Sequence, residues 1–110
     1  MSFAVDVTDS FKREARRLNK RYASLSSDIE GLITSLEENP EQGASIGRSC
    51  YKVRMAIRSK GKGKSGGARV ITCVIAVRET VYLLSIYDKS EQETISDAML
   101  KGMLEAAGLA

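Results

Sequence analysis

Residues 50–89, CYKVRMAIRSKGKGKSGGARVITCVIAVRETVYLLSIYDK, decide the fold. The stretch opens with a period of two. Tyr51, Val53, Met55 and Ile57 fall on one face of an extended chain; Lys52, Arg54 and Arg58 fall on the other, with Ala56 between them. Ser59 to Gly67, SKGKGKSGG, holds four glycines and no apolar residue, so it reads as a mobile basic hairpin loop and not as core. Ala68 to Val77 is almost wholly apolar. Thr80 to Tyr87 follows after a tight turn near Arg78-Glu79. Both suit central strands covered on much of each face. Three strands with short connections make an antiparallel meander, which needs helices on one face to complete a core.

The flanking segments supply those helices. Phe3, Val5 and Val7 alternate with Ala4 and Asp6 as a short first strand that pairs at a sheet edge. Thr8 or Asp9 can cap a helix running to about Arg21, with Phe11, Ala15 and Leu18 as its apolar stripe. A second helix runs from Leu25-Ser26 to about Glu38, burying Ile29, Leu32, Ile33 and Leu36, and ends at Asn39-Pro40. A connection of a few residues makes the two a helical hairpin. Glu41 to Ser49 reads as a polar loop, and the tail from Ser90 as helical, with Gly102 and Gly108 weakening it. The expectation is one α+β domain over residues 1–110: a helical hairpin packed on a small, mostly antiparallel sheet, in the order β-α-α-β-β-β with a candidate C-terminal helix.

Composition narrows the chemistry. The 17 Lys and Arg against 14 Asp and Glu give a net charge of +3, which says little. Their placement says more: Cys50 to Arg78 carries eight basic residues and no acid. Such a field draws anionic partners. With no histidine and no CxxC pair, neither a structural zinc site nor any other metal is expected, and no cofactor is implied. Cys50 and Cys73 fall in apolar strands and are expected as buried free thiols. The N-terminus lacks the apolar run of a signal peptide, and no stretch is long enough to span a membrane, so a cytoplasmic protein without membrane partners is the expectation.

Lys52 and Arg54 with Arg58 on one strand face, Arg69 on the next strand and Lys89 after the last form a candidate positive patch. A solvated strand face is the plain alternative, but like charges repel and a purely structural surface mixes signs. Arginine suits phosphate because its planar fork binds two oxygens. The loop lysines Lys60, Lys62 and Lys64 are candidate RNA contacts beside glycines that can turn amides toward an anion. The run Gly63-Lys64-Ser65 is not a nucleotide-binding P-loop, because position 58 is Arg58 and not glycine. Tyr87 ends the last strand, where its ring can stack on a base or its hydroxyl take one buried contact. RNA carries its own nucleophile, the 2′-OH. A lysine can serve as base and arginines can stabilise charge at phosphorus, so cleavage needs neither histidine nor metal. With two Phe, four Tyr and no Trp to grip bases, an external scaffold such as the ribosome would have to orient the RNA.

Cys50-Tyr51-Lys52-Val53-Arg54, the loop Ser59 to Gly67, Ala68-Arg69-Val70-Ile71 and Val81 to Lys89 together resemble the RelE/ParE toxin superfamily of type II toxin–antitoxin systems, most nearly its HigB-like branch. The resemblance covers nearly the whole chain. It implies a metal-independent messenger RNA endonuclease that acts in the 70S ribosome, inhibits translation and leaves a 2′,3′-cyclic phosphate. A cognate antitoxin protein would block it, and the complex would bind operator DNA. By motif position, Lys52 acts as or assists the general base, Arg54 contacts the phosphate, Arg69 stabilises the transition state, and Lys89 holds the basic position after the last strand. Arg58, Lys60, Lys62, Lys64 and Tyr87 fall to RNA binding. The catalytic tyrosine of RelE proper has no counterpart, since its place falls near Ile95. A gyrase-poisoning ParE-like toxin and a non-catalytic relative that binds antitoxin and nucleic acid are the alternatives.

Overall fold

The computed structural model describes residues 2–92 and 94–110. Five strands form one sheet: β1 (Ala4–Val7), β2 (Ala44–Gly47), β3 (Cys50–Met55), β4 (Ala68–Ile75) and β5 (Thr80–Asp88). Their order is β1-β5-β4-β3-β2, with β1 parallel to β5 and all other pairs antiparallel. The helices are α1 (Asp9–Asn19), α2 (Leu25–Glu38) and α3 (Asp97–Ala106). The expected α+β arrangement is therefore the one observed, C-terminal helix included.

The Thr8 hydroxyl oxygen starts α1 by accepting from the Phe11 N–H at 3.3 Å, and it donates to the Leu83 carbonyl at 2.8 Å. One residue thus caps the helix and ties it to β5. Phe11 and Leu18, two turns apart, are fully buried, as are Leu25 and Leu36 of α2. They pack with Val53, Val70, Val81, Leu83 and Ile86 on the helical-hairpin face of the sheet. Each such leucine or isoleucine contributes about 1.5–3 kcal/mol by leaving water.

The opposite face divides. At one end α3 lays Leu100 and Leu104 over Cys50, Ile71, Cys73, Leu84 and Tyr87. The helix closes in a Schellman arrangement: Gly108 is left-handed (φ 72°) and the Leu109 N–H donates to the Leu104 carbonyl at 2.8 Å. Gly108 is thus a helix stop. The other end of this face stays uncovered by α3, and there the cations of β3 and β4 lie.

Three expectations change. The polar segment 41–49 contains the edge strand β2, which pairs Ala44 with Lys52 and Ser45 with Tyr51. It has only Ile46 to bury, so a four-residue edge strand leaves no alternation to read. Strand β3 stops at Met55, so Arg58 is not on the strand face; it opens a 3-10 turn, Arg58–Lys60. Strand β4 stops at Ile75 and passes through a second 3-10 turn, Ala76–Arg78, to left-handed Glu79.

Candidate anion site on the open sheet face

The register of the central strands builds the site. Arg54 on β3 stands opposite Arg69 on β4, and Arg69 stands opposite Tyr87 on β5. Lys52 is two residues from Arg54 and so shares its face. Lys52, Arg54 and Arg69 line one open cleft of about 460 Å³, with Gly43 and Ala44 as its far wall. Gly43 has φ 98°, and a Cβ there would lie 2.6 Å from the Lys52 carbonyl oxygen. Only glycine lets β2 approach β3 this closely beside Lys52.

Arg69 is the best-held cation. It is 6% exposed. Its guanidinium donates to three backbone carbonyls: Lys64 at 3.0 Å, Ala68 at 3.1 Å and Ser65 at 3.2 Å. Among the described residues no carboxylate pairs with it, nor with Lys52, Arg54 or Lys89. A buried charge bonded only to neutral acceptors keeps its field for an incoming anion.

Tyr87 completes the row. It is 4% exposed, and its hydroxyl has no hydrogen-bond partner among the described residues. Burial raises the phenol above its ordinary range, with Arg69 pulling the other way. As the chain stands the ring is covered, so base stacking would need α3 or the segment before it to move. Ile95 packs into the same apolar cluster under α3.

The loop between β3 and β4 divides its cations. Arg58 donates to Asp28 at 2.8 Å and to the Ser27 hydroxyl at 2.6 Å. Burial alone would raise Asp28, yet the hydrogen bonds from Ser24 and Arg58 outweigh it and hold the carboxyl below its usual range. Lys60 turns inward to Asp88 at 2.7 Å. Both cations expected to face RNA are thus engaged by carboxylates from outside the acid-free block. Lys62 and Lys64 remain exposed. Lys62 and Lys89 share a second depression, with Lys60, Ser65, Gly66 and Ser90. The structure therefore groups Lys52, Arg54, Arg69 and Tyr87, sets Lys62 and Lys89 apart across the loop with Lys60 beside them, and ties Arg58 and Lys60 to carboxylates.

Sequence reasoning missed Gly43, the carbonyl cage on Arg69, and Asp88. A positive-φ glycine and backbone acceptors leave no side-chain signal, but an aspartate inside a lysine-flanked strand end was visible. Cys50 and Cys73 are free, buried and directly opposed across β3 and β4; the neighbouring Cys73 thiol and burial push the Cys50 thiol up. Among the described residues no group of three or more His, Cys, Asp and Glu could hold a metal, and no helix is long and apolar enough to cross a membrane.

A profile of the family described as "RelE toxin of RelE / RelB toxin-antitoxin system" matches residues 5–110. Solved structures agree in fold. A mutant of the Escherichia coli toxin RelE in the free state superposes with a TM-score of 0.62 at 16% identity, covering 98% of this chain and 96% of that one. The RelBE2 toxin–antitoxin complex of Mycobacterium tuberculosis gives a TM-score of 0.61 at 18% identity, over 80% of this chain and 99% of that one. The E. coli RelE mutant in complex with an antitoxin RelB peptide gives 0.60 at 19% identity, over 88% and 98%.

Proposed function

The chain belongs to the RelE toxin family, and on that footing we propose that it is a ribosome-dependent messenger RNA endonuclease that stops translation. The observation that supports this most is the cleft of Lys52, Arg54 and Arg69, three cations from two strands with no described carboxylate among them. A surface shaped only for solubility would not concentrate charge of one sign in a concavity.

The chemistry follows from the substrate. The RNA 2′-oxygen attacks the adjacent phosphorus as its proton leaves, the bond to the 5′-oxygen breaks, that oxygen takes a proton from water, and a 2′,3′-cyclic phosphate and a 5′-hydroxyl result. Lys52, half-exposed in the cleft, takes or steers the 2′-proton. Arg54 holds the phosphate. Arg69, fixed by three carbonyls, meets the charge that builds on the phosphoryl oxygens without having to reorganise. Lys62, Lys64 and Lys89 contact neighbouring phosphates. The ribosome supplies the orientation that a protein poor in exposed aromatics cannot.

A cognate antitoxin as partner is supported by the RelBE and RelE–RelB peptide complexes of the related folds. Operator binding through that complex and a place in the HigB-like branch belong to the same reading. The branch is favoured by Ile95, which lies ahead of α3 where RelE proper carries a tyrosine. Expression in bacteria tests the whole. Protein synthesis should stop on induction and recover when the partner encoded beside the chain is co-expressed. Continued synthesis with loss of DNA supercoiling would replace this reading with gyrase poisoning.

A further inference from the structure

Neither Lys60 nor Asp88, which form an ion pair, lines the cleft of Lys52, Arg54 and Arg69. Asp88 is 1% exposed, and its side chain is wholly covered. It accepts from Lys60 Nζ at 2.7 Å, from the Tyr22 hydroxyl, and from the Ser90 N–H and hydroxyl at 2.9 and 2.8 Å. Lys60 also lies over the Tyr22 ring, 5.7 Å from its centroid. One carboxylate thus gathers the turn after α1, the start of the β3–β4 loop and the end of β5. Beside it the Lys89 N–H donates to the Gly67 carbonyl at 3.1 Å, which fastens the end of the same loop.

The loop so fastened is the one whose Lys64 and Ser65 carbonyls hold Arg69. Successive strand residues point to opposite faces, so Tyr87 belongs to the site while Asp88 points to the rear. We propose that Asp88, with Lys60 and Tyr22, is a positioning hub: it fixes the start of the loop, whose end the adjacent Lys89 N–H fastens, and so sets the direction of the Arg69 guanidinium. The choice of groups supports this. A buried ion pair is a costly stabiliser, and an apolar pair of the same shape would hold a core at least as well. A lysine locked to one carboxylate instead defines where the loop leaves the strand. Lys60 is therefore withheld from RNA and acts through Arg69. The proposal rests on the nuclease reading for its consequence, but the tether itself can be read without RNA.

Asp88→Asn, Lys60→Met and the double variant are compared with the intact chain, each at a temperature where circular dichroism shows it folded. Two measurements are taken. Without RNA, amide exchange of residues 61–67 and the Arg69 Nε–H nuclear magnetic resonance signal report the cage. With ribosomes and messenger RNA, kcat and KM are separated. Each single variant should speed loop exchange and broaden or shift the Arg69 signal. Each should lower kcat by about tenfold or more with little change in KM, as misplacement of a catalytic group does. The double variant should be no worse than either single one, because both remove one tether. An unchanged Arg69 signal and loop exchange in folded variants would overturn the proposal, as would strictly additive losses. If the intact chain does not cut RNA, the nuclease reading fails, and the exchange and resonance data still decide the hub.

Discussion

Arg69 concentrates the demands of the site in one side chain. It is buried, held by three carbonyls, and free of any described carboxylate. Replacing it by alanine should lower the cleavage rate by about 10²–10³-fold, the usual loss when one preorganised donor to a developing anion is removed. Lysine should rescue little, since a point charge cannot satisfy three fixed acceptors and a phosphate together. Single-turnover cleavage measures both. Tyr87 gives the opposite test. Its hydroxyl is buried without a partner among the described residues, so Tyr87→Phe should leave stability unchanged or raise it by up to about 1 kcal/mol in thermal unfolding. A drop in cleavage at unchanged stability would assign the hydroxyl to the chemistry. At this scale the sequence identified Lys52, Arg54 and Arg69 correctly as neighbours, because strand alternation and register bring them together. It misplaced Arg58 on the strand face and did not foresee the partners of Arg58 and Lys60, because Asp28 and Asp88 lie 30 and 28 residues away and no local pattern reports such pairs.

The elements place those residues, and their glycines are testable. Gly67 runs against β3 so closely that a Cβ would collide with the Met55 carbonyl oxygen and lie 3.0 Å from the Ala56 Cα. Gly67→Ala should destabilise by about 1–3 kcal/mol, since backbone must move to admit it. Gly31 is an exposed residue of α2, and a Cβ added there would have open space around it, with no atom within 4 Å. Gly31→Ala should stabilise by about 0.5–1 kcal/mol. Urea unfolding reads both signs. The Asp88 hub adds a pH dependence. Burial would raise its carboxyl, but hydrogen bonds from Lys60, Tyr22 and Ser90 hold it well below the ordinary range. A carboxyl depressed on folding stabilises the protein above its unfolded pKa, about 3.9, and that contribution is lost as pH falls from there through the folded value. Acid titration of stability should therefore be steeper for the intact chain than for Asp88→Asn. The helices and central strands were legible because their periods are long and clean. Strand β2 was not, because an edge strand of four residues with one buried side chain carries no period.

Across the whole molecule, the cations of residues 50–89 divide into those held by a carboxylate and those that are not, among the described residues. Some cations are paired: Arg58 with Asp28, Lys60 with Asp88, and Arg21 with Glu91 at 2.9 Å. The open sheet face keeps Lys52, Arg54 and Arg69, with Lys62, Lys64 and Lys89 around the loop. An acid-free run in sequence is thus only partly acid-free in space. Binding of single-stranded RNA should weaken with salt, each phosphate contact adding about −0.7 to the log–log slope. Lys62→Ala or Lys64→Ala should reduce the slope by about that amount, whereas Arg58→Ala should leave it unchanged. On the proposed function, the open face of Lys52, Arg54 and Arg69 cuts RNA on the ribosome. The direct measurement is primer extension on a defined messenger RNA incubated with translating ribosomes and either the intact chain or a folded Arg69→Ala variant. Discrete cuts ending in 2′,3′-cyclic phosphate are expected with the intact chain, and almost none with the variant. Intact message in both, or equal cutting by both, would contradict it.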